Sequence, residues 1–118
     1  MLPSSADTVE ITVAELASIK ASSDFRGPSP LLVDCREPDE HDICKISGAV
    51  LIPLSTFSTE AESKLPGKSH PIIVYCHHGM RSMRATEFLR QKGYSETFSL
   101  AGGIDAWAVA VEPGMTRY

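Results

Sequence analysis

The sequence predicts an α/β domain with a mainly parallel sheet and helices on both faces. Three observations carry this reading. The runs Leu31-Leu32-Val33-Asp34-Cys35, Ala49-Val50-Leu51-Ile52-Pro53 and Ile72-Ile73-Val74-Tyr75-Cys76 are apolar without alternation, as strands covered on both faces are. Stretches with helical spacing lie between them, so strand and helix alternate along the chain. The 118 residues, 42% hydrophobic and 22% charged, fit one compact domain with its own core. No internal repeat or low-complexity segment interrupts it. Residues 1–8 read as an N-terminal tail and 9–118 as the domain.

Val9-Glu10-Ile11 is a short strand candidate. Thr12 with Glu15 three residues on reads as a capping box, opening a helix that carries Leu16, Ala17 and Ile19 on its apolar side and reaches about Ala21. Ser22-Ser23-Asp24 and Gly27-Pro28-Ser29-Pro30 form a loop rich in breakers. The first buried strand, residues 31–35, follows, and 37–42 predicts a short polar helical turn. Residues 49–53 predict a second buried strand ended by Pro53. Residues 55–64 predict a helix with Ser and Thr near its start, and 65–68 a turn. The third buried strand is 72–76. Ala85, Phe88 and Leu89 set a helix over 82–92, which Gly93 terminates. Thr97-Phe98-Ser99-Leu100 is a further strand. The last helix turns Ile104, Trp107, Ala108 and Val111 to one side, and Pro113-Gly114 stops it.

Composition narrows the function classes. A net charge of −4 argues against nucleic acid as a partner. No apolar run is long enough to span a bilayer, and the first residues lack the basic flank and apolar stretch of a secretory signal. Three cysteines, Cys35, Cys44 and Cys76, make a poor disulfide framework and fit a reducing compartment, which predicts a cytoplasmic protein. Without a C-x-x-C pair, a dithiol redox centre or a cysteine-rich metal site has little support.

The chemistry concentrates in Cys76-His77-His78-Gly79-Met80-Arg81-Ser82. In a parallel sheet the reactive crevice lies at the carboxyl ends of the strands, where both Asp34 and Cys76 fall. A short loop curling from strand to helix aims successive N–H groups inward as an anion nest, and Gly79 permits the torsions of that curl. The helix dipole and these amides favour thiolate over thiol, and the thiolate is the nucleophile. Arg81 adds planar donors for an anionic substrate, and Ser82 is placed to cap the helix. His77-His78 reads as a solvated rim, because adjacent side chains at a loop tip rarely converge on one ion; no metal is predicted. Arg84 reads as a surface charge. A cysteine phosphatase loop places five residues between Cys and Arg. Four separate Cys76 from Arg81, so the loop is tighter and suits a smaller target, such as one added sulfur atom.

With these residues in place, the chain resembles a single-domain rhodanese, a sulfurtransferase, from about Val9 onward. The resemblance rests on Asp34-Cys35-Arg36-Glu37-Pro38 with Glu40, on Ile46-Ser47-Gly48-Ala49-Val50 leading to Ile52-Pro53, on the Cys76 loop, and on Gly102-Gly103-Ile104-Asp105-Ala106-Trp107. It implies the rhodanese fold, a five-stranded mainly parallel sheet with helices on both faces. It also implies a ping-pong reaction without a cofactor: Cys76 takes the outer sulfur of a small anionic donor such as thiosulfate as a persulfide, and passes it to cyanide or a thiol. The resemblance makes residues 77–82 the persulfide-binding loop, gives Arg81 the donor to orient, and makes Asp34 and Arg36 supporting residues, an ion pair that Glu40 joins. Trp107 reads as core. Cys44 and Lys45 stand where the family usually has Gly-His; Cys44 reads as a packing or surface residue, with a resolving-thiol role as the alternative. The end of the sequence resembles the rhodanese module fused behind adenylating enzymes, which implies an independent carrier delivering sulfur to a protein partner. Two other readings of the whole chain are a rhodanese-fold regulatory or interaction module, which commonly lacks the cysteine, and a phosphatase or arsenate reductase of the same fold, which the loop spacing opposes.

Overall fold

The computed structural model describes residues 2–21 and 29–118. Among these, five strands form one sheet: β1 (Glu10–Ile11), β2 (Leu31–Asp34), β3 (Val50–Leu51), β4 (Ile72–Tyr75) and β5 (Thr97–Leu100). Their order is β1-β5-β4-β2-β3, and every neighbouring pair is parallel, so the sheet is wholly parallel. The helices are α1 (Val13–Ala21), α2 (Pro38–Ile43), α3 (Phe57–Lys64), α4 (Met80–Gln91) and α5 (Gly103–Ala110).

Two apolar clusters cover the two faces, as strands without alternation require. One joins Ile11, Ile73, Tyr75 and Phe98 to Leu16 of α1 and to Ile104 and Trp107 of α5. The other joins Val33, Val74 and Cys76 to Phe57 and Ala61 of α3 and to Ala85 and Leu89 of α4. Trp107 is buried as expected, and its Nε1 donates to Glu112 Oε1 at 2.9 Å, which satisfies the one polar atom of the side chain.

Local chemistry explains the element starts. The Thr12 and Glu15 capping box forms: Thr12 N donates to Glu15 Oε1 at 2.8 Å, and Glu15 N donates to Thr12 Oγ1 at 3.1 Å. A second box, Glu37 with Glu40, opens α2, and Pro38 fills its first position. Helix α3 is preceded by a 3-10 turn, Leu54–Thr56. Helix α4 starts at Met80, two residues before the apolar spacing predicts, because Gly79 takes the left-handed conformation (φ 109°) and turns the chain at once. Ser82 therefore lies inside the helix and does not cap it.

The expected buried strand over 49–53 is instead a two-residue edge strand. β3 pairs only with β2 and leaves Val50 37% exposed; its apolar partner Ile52 is buried just beyond the ladder, donating its N–H to Asp34 O. Most of the breaker-rich loop, 22–28, lies outside the described residues. Residues 4–8 make a turn docked by Arg90, whose guanidinium donates to Ser5 O and Thr8 O at 2.9 Å each.

Phe98 is wholly buried on β5, between β1 and β4, with the Arg90 guanidinium 5.5 Å from its ring. Phe98→Ala is expected to cost about 3–5 kcal/mol, measured by urea unfolding.

Candidate active site

Register brings the site residues to one edge. Asp34 and Tyr75 are paired at the ends of β2 and β4, so Cys35 and Cys76, one residue on, both leave the carboxyl edge of the sheet. The Cys76 sulfur is 1% exposed as a residue and sits in the curl of its own loop. Gly79 N donates to Sγ at 3.0 Å and Ser82 N at 3.4 Å, with Ser82 Oγ 3.5 Å away. The Ser82 hydroxyl also lies 3.1 Å from Gly79 O and 2.7 Å from Ser99 Oγ. The residue expected to cap the helix thus ties the sulfur, the loop and β5 together.

The loop is held in turn by α5. Ile104 N donates to Cys76 O at 2.9 Å and Asp105 N to His77 O at 3.1 Å. The start of α5 therefore takes the loop carbonyls, and the loop amides are left to converge on sulfur. This explains Gly102-Gly103. Both take positive φ (76° and 61°), and a Cβ on Gly103 would stand 2.5 Å from the carbonyl oxygens of Cys76 and His77.

These contacts set the charge on sulfur. The neighbouring Cys35 first, then the Ser82 hydroxyl and the Ser82 and Gly79 amides, hold the Cys76 thiol down to about 4 against the opposing effect of burial. Hydrogen bonds to the charged form stabilise it, so Cys76 is an anion at neutral pH. Cys35 moves the other way, pushed far up by Cys76 and by burial; it remains a thiol.

Around the sulfur runs a chain of paired charges. Arg36, wholly buried, binds Asp34 through Nε (2.9 Å) and Nη2 (2.7 Å). His41 Nδ1 meets the same carboxylate at 2.8 Å. Arg36 Nη2 also reaches Cys44 O at 2.5 Å, and Nη1 donates to the Tyr118 hydroxyl at 2.8 Å. The Tyr118 hydroxyl in turn donates to Glu40 Oε2 at 2.8 Å. Glu40 grips Arg81 with both oxygens, at 2.6 and 2.9 Å. Glu40 thus joins the network, through Tyr118 and Arg81. The Arg81 guanidinium above all, then the Glu37 amide and the Tyr118 hydroxyl, holds the Glu40 carboxyl down to about 2 against burial.

Cys76, His77, His78, Met80 and Arg81 line an open depression of about 300 Å³. Met80 stands 80% exposed at its rim. His77 stacks on Tyr118 with ring centroids 3.9 Å apart and planes at 9°, and burial first, then His78, lowers its pKa. His78 is exposed, 4.0 Å from Asp105, which Arg117 holds at 2.9 Å. Arg84 is exposed on α4, as expected.

Cys44 ends α2 in an extended conformation (φ −162°), which needs no glycine, so the departure from Gly causes no strain there. Its sulfur lies 3.8 Å from Arg36 Nη1, while the cysteine packed in one cluster with Cys76 is Cys35. Sequence reasoning missed Cys35, His41 and Tyr118. The pattern did carry a signal for the first, since Cys35 and Cys76 each end a buried run in a parallel sheet.

Comparison with known proteins gives the same family from three directions. The profile of the rhodanese-like domain matches residues 12–110. The chain is 41% identical over 88 residues to the probable adenylyltransferase/sulfurtransferase MoeZ of Mycobacterium tuberculosis, covering 74% of this chain and 22% of that protein. It thus spans about a fifth of that relative's length. It is 31% identical over 77 residues to the thiosulfate sulfurtransferase GlpE of Coxiella burnetii, covering 65% of this chain and 70% of GlpE. The crystal structure of a rhodanese-related protein from Thermoplasma volcanium matches with a TM-score of 0.73 at 30% identity, over 88% of this chain and 94% of that one.

Gly103→Ala is expected to destabilise the protein by at least about 1 kcal/mol in urea unfolding, because alanine resists a positive φ, and to slow alkylation of Cys76. Gly114→Ala, with open space at its Cβ, is the near-neutral control. Glu40 contributes stability that is complete above its ordinary value of 4.5 and fades as pH falls through about 2. The stability gap between wild type and Glu40→Gln is therefore expected to close across that window, measured by urea unfolding at stepped pH.

Proposed function

The chain belongs to the rhodanese-like family, and we propose that it is a sulfurtransferase carrying sulfane sulfur on Cys76. One observation carries the reading: a buried cysteine sulfur that is anionic at neutral pH and receives the amides of Gly79 and Ser82. Similarity to MoeZ, a probable adenylyltransferase/sulfurtransferase, and to GlpE, a thiosulfate sulfurtransferase, supports it.

The reaction has two halves. The Cys76 thiolate attacks the outer sulfur of a donor. With thiosulfate, the Sγ–S bond forms as the S–S bond of the donor breaks, and sulfite leaves with the bonding pair. The product is a persulfide with its charge on the outer sulfur, one atom further into the loop, where the amides of a preorganised nest stabilise it without reorganising. In the second half a cyanide or thiolate acceptor bonds to the outer sulfur, and Cys76 departs as the thiolate it was. His77, His78 and Met80 form the rim over which both reactants enter, and Arg81 stands beside them with its charge balanced by Glu40. Asp34 and Arg36 support the edge from which the loop springs.

The wide, shallow mouth and exposed Met80 suit a protein or peptide thiol as acceptor as well as a small molecule, so a sulfur-delivery partner is part of the proposal. We take residues 9–118 as the working domain and the cytoplasm as its compartment, in keeping with three free cysteines. No helix among the described residues is long and apolar enough to cross a membrane.

Incubation with thiosulfate is expected to add one sulfur atom to the intact mass of the wild type and none to Cys76→Ser, and thiosulfate:cyanide turnover is expected to vanish in that variant. A wild type that neither gains sulfur from thiosulfate or a small persulfide donor nor turns over would overturn the reading.

A further inference from the structure

Cys35 is a buried thiol that the transfer reaction leaves unused. It follows the last residue of β2 as Cys76 follows the last residue of β4, and Asp34 and Tyr75 are in register between them. The two cysteines therefore face each other across one inter-strand spacing, about 4.8 Å. Their side chains point to the same face, since both share an apolar cluster with Val33 and Val74, two residues earlier on each strand. The register persists past the ladder, with Cys35 N donating to Tyr75 O at 3.0 Å. Both residues are at most 1% exposed, and each is the leading influence on the other's titration, Cys76 downward and Cys35 upward.

The chemistry of that contact is one-sided. A buried anion needs donors on every accessible side. The loop supplies Gly79 and Ser82 from above, and the cluster below is largely aliphatic. A thiol is a weak donor to neutral acceptors, but bonds to ionised acceptors are markedly stronger. A valine would pack equally well against Val33 and Val74, so packing alone does not call for sulfur at this position. Other charges near the pair are Asp34 at the end of β2 and Arg81 on α4, the latter paired to Glu40 of α2, with His77 next in the loop.

We propose that Cys35 is a positioning residue for the nucleophile, its S–H donating to the Cys76 sulfur from the sheet side and holding it as the reactive anion. No bond to Cys35 forms or breaks. Resting on the sulfurtransferase reading, the contact serves both half-reactions: Cys76 is the attacking thiolate in the first and the leaving thiolate in the second, and a stabilised thiolate leaves faster. During the persulfide stage the fixed loop amides face the charge on the outer sulfur, while the Cys35 S–H stays with the inner sulfur.

The test is the rate of Cys76 alkylation by iodoacetamide from pH 3 to 8, followed by peptide mass mapping, in wild type, Cys35→Val, Cys35→Ala and Cys35→Ser. The wild-type midpoint is expected near 4. Valine and alanine, which remove the donor, are expected to raise it by roughly one unit, and serine, which keeps an O–H donor, to restore most of the shift. A packing role predicts the reverse order, because serine puts a hydroxyl into an apolar cluster that valine suits; urea unfolding ranks that effect separately. Midpoints unmoved in both valine and alanine variants, or equally raised in all three, would overturn the proposal. Alkylation needs no sulfur donor, so such a result leaves the transferase reading standing. Failure of sulfur loading would in turn leave the midpoint shift intact.

Discussion

The buried Asp34–Arg36 pair is the interaction on which the active edge depends. Both side chains are wholly excluded from solvent, where an unpaired charge costs several kcal/mol. The pair escapes that cost because nearly every donor and acceptor is used. Asp34 receives the Arg36 side chain, the Arg36 backbone N–H and His41. The remaining Arg36 donors go to Cys44 and Tyr118. Each partner lies on a different segment, so satisfying one guanidinium fixes the exit of β2, the end of α2 and the last residue described. From Tyr118 the order passes through Glu40 to Arg81 and so to the first turn of α4. The loop is therefore anchored from outside by a line of charge-assisted bonds that begins in the core.

The second constraint acts on the backbone. A loop can offer its amides to an anion only if its carbonyls are occupied elsewhere, and α5 provides for that with two N–H groups that would otherwise be orphans at a helix start. The close approach this demands leaves no room for a Cβ at residue 103. The Gly-Gly pair, far along the chain from Cys76, is thus part of the environment of the Cys76 loop. Helix-terminal donors, loop amides and the parallel sheet edge are three uses of one fact: backbone groups at element ends have unspent hydrogen-bonding capacity.

Much of this was legible in the sequence, for reasons that can be named. Covered strands lack alternation, so β2 and β4 were plain, and Thr12 with Glu15 marked the start of α1 through bonds that form as expected. The Cys76 loop was readable because strand, glycine and helix occur within a few residues. The failures share a cause. β3 looks buried by composition, but whether an apolar run lies at the centre or the edge is decided by topology. Ser82 carries the residue type of a cap, but a left-handed Gly79 moved the helix start ahead of it. Cys35 stands in register with Cys76, 41 residues away, and Tyr118 bonds Glu40, 78 residues away, and no local pattern encodes such distances. Cys44 attracted the resolving-thiol reading because it departs from the family pattern, while Cys35, beside Cys76, sat inside an ordinary apolar run.

The distribution of charge at the mouth bears on how the site selects an anion. The chain carries a net charge of −4, and the cations near the sulfur are not free: Arg81 is held by Glu40, Arg117 by Asp105, and Arg36 by Asp34. Attraction at the sulfur therefore comes mainly from fixed dipoles, the amides of 79 and 82 and the start of α4. Such dipoles act over a few ångströms and are indifferent to the rest of the surface, unlike an unpaired cation whose field reaches a Debye length. They act on a charge held at one point in the loop, beside the Cys76 sulfur. The same economy explains why Glu40 binds Arg81 without defeating the chemistry. The pair fixes the shape of the rim, and the stabilisation of negative sulfur is left to groups that do not have to move.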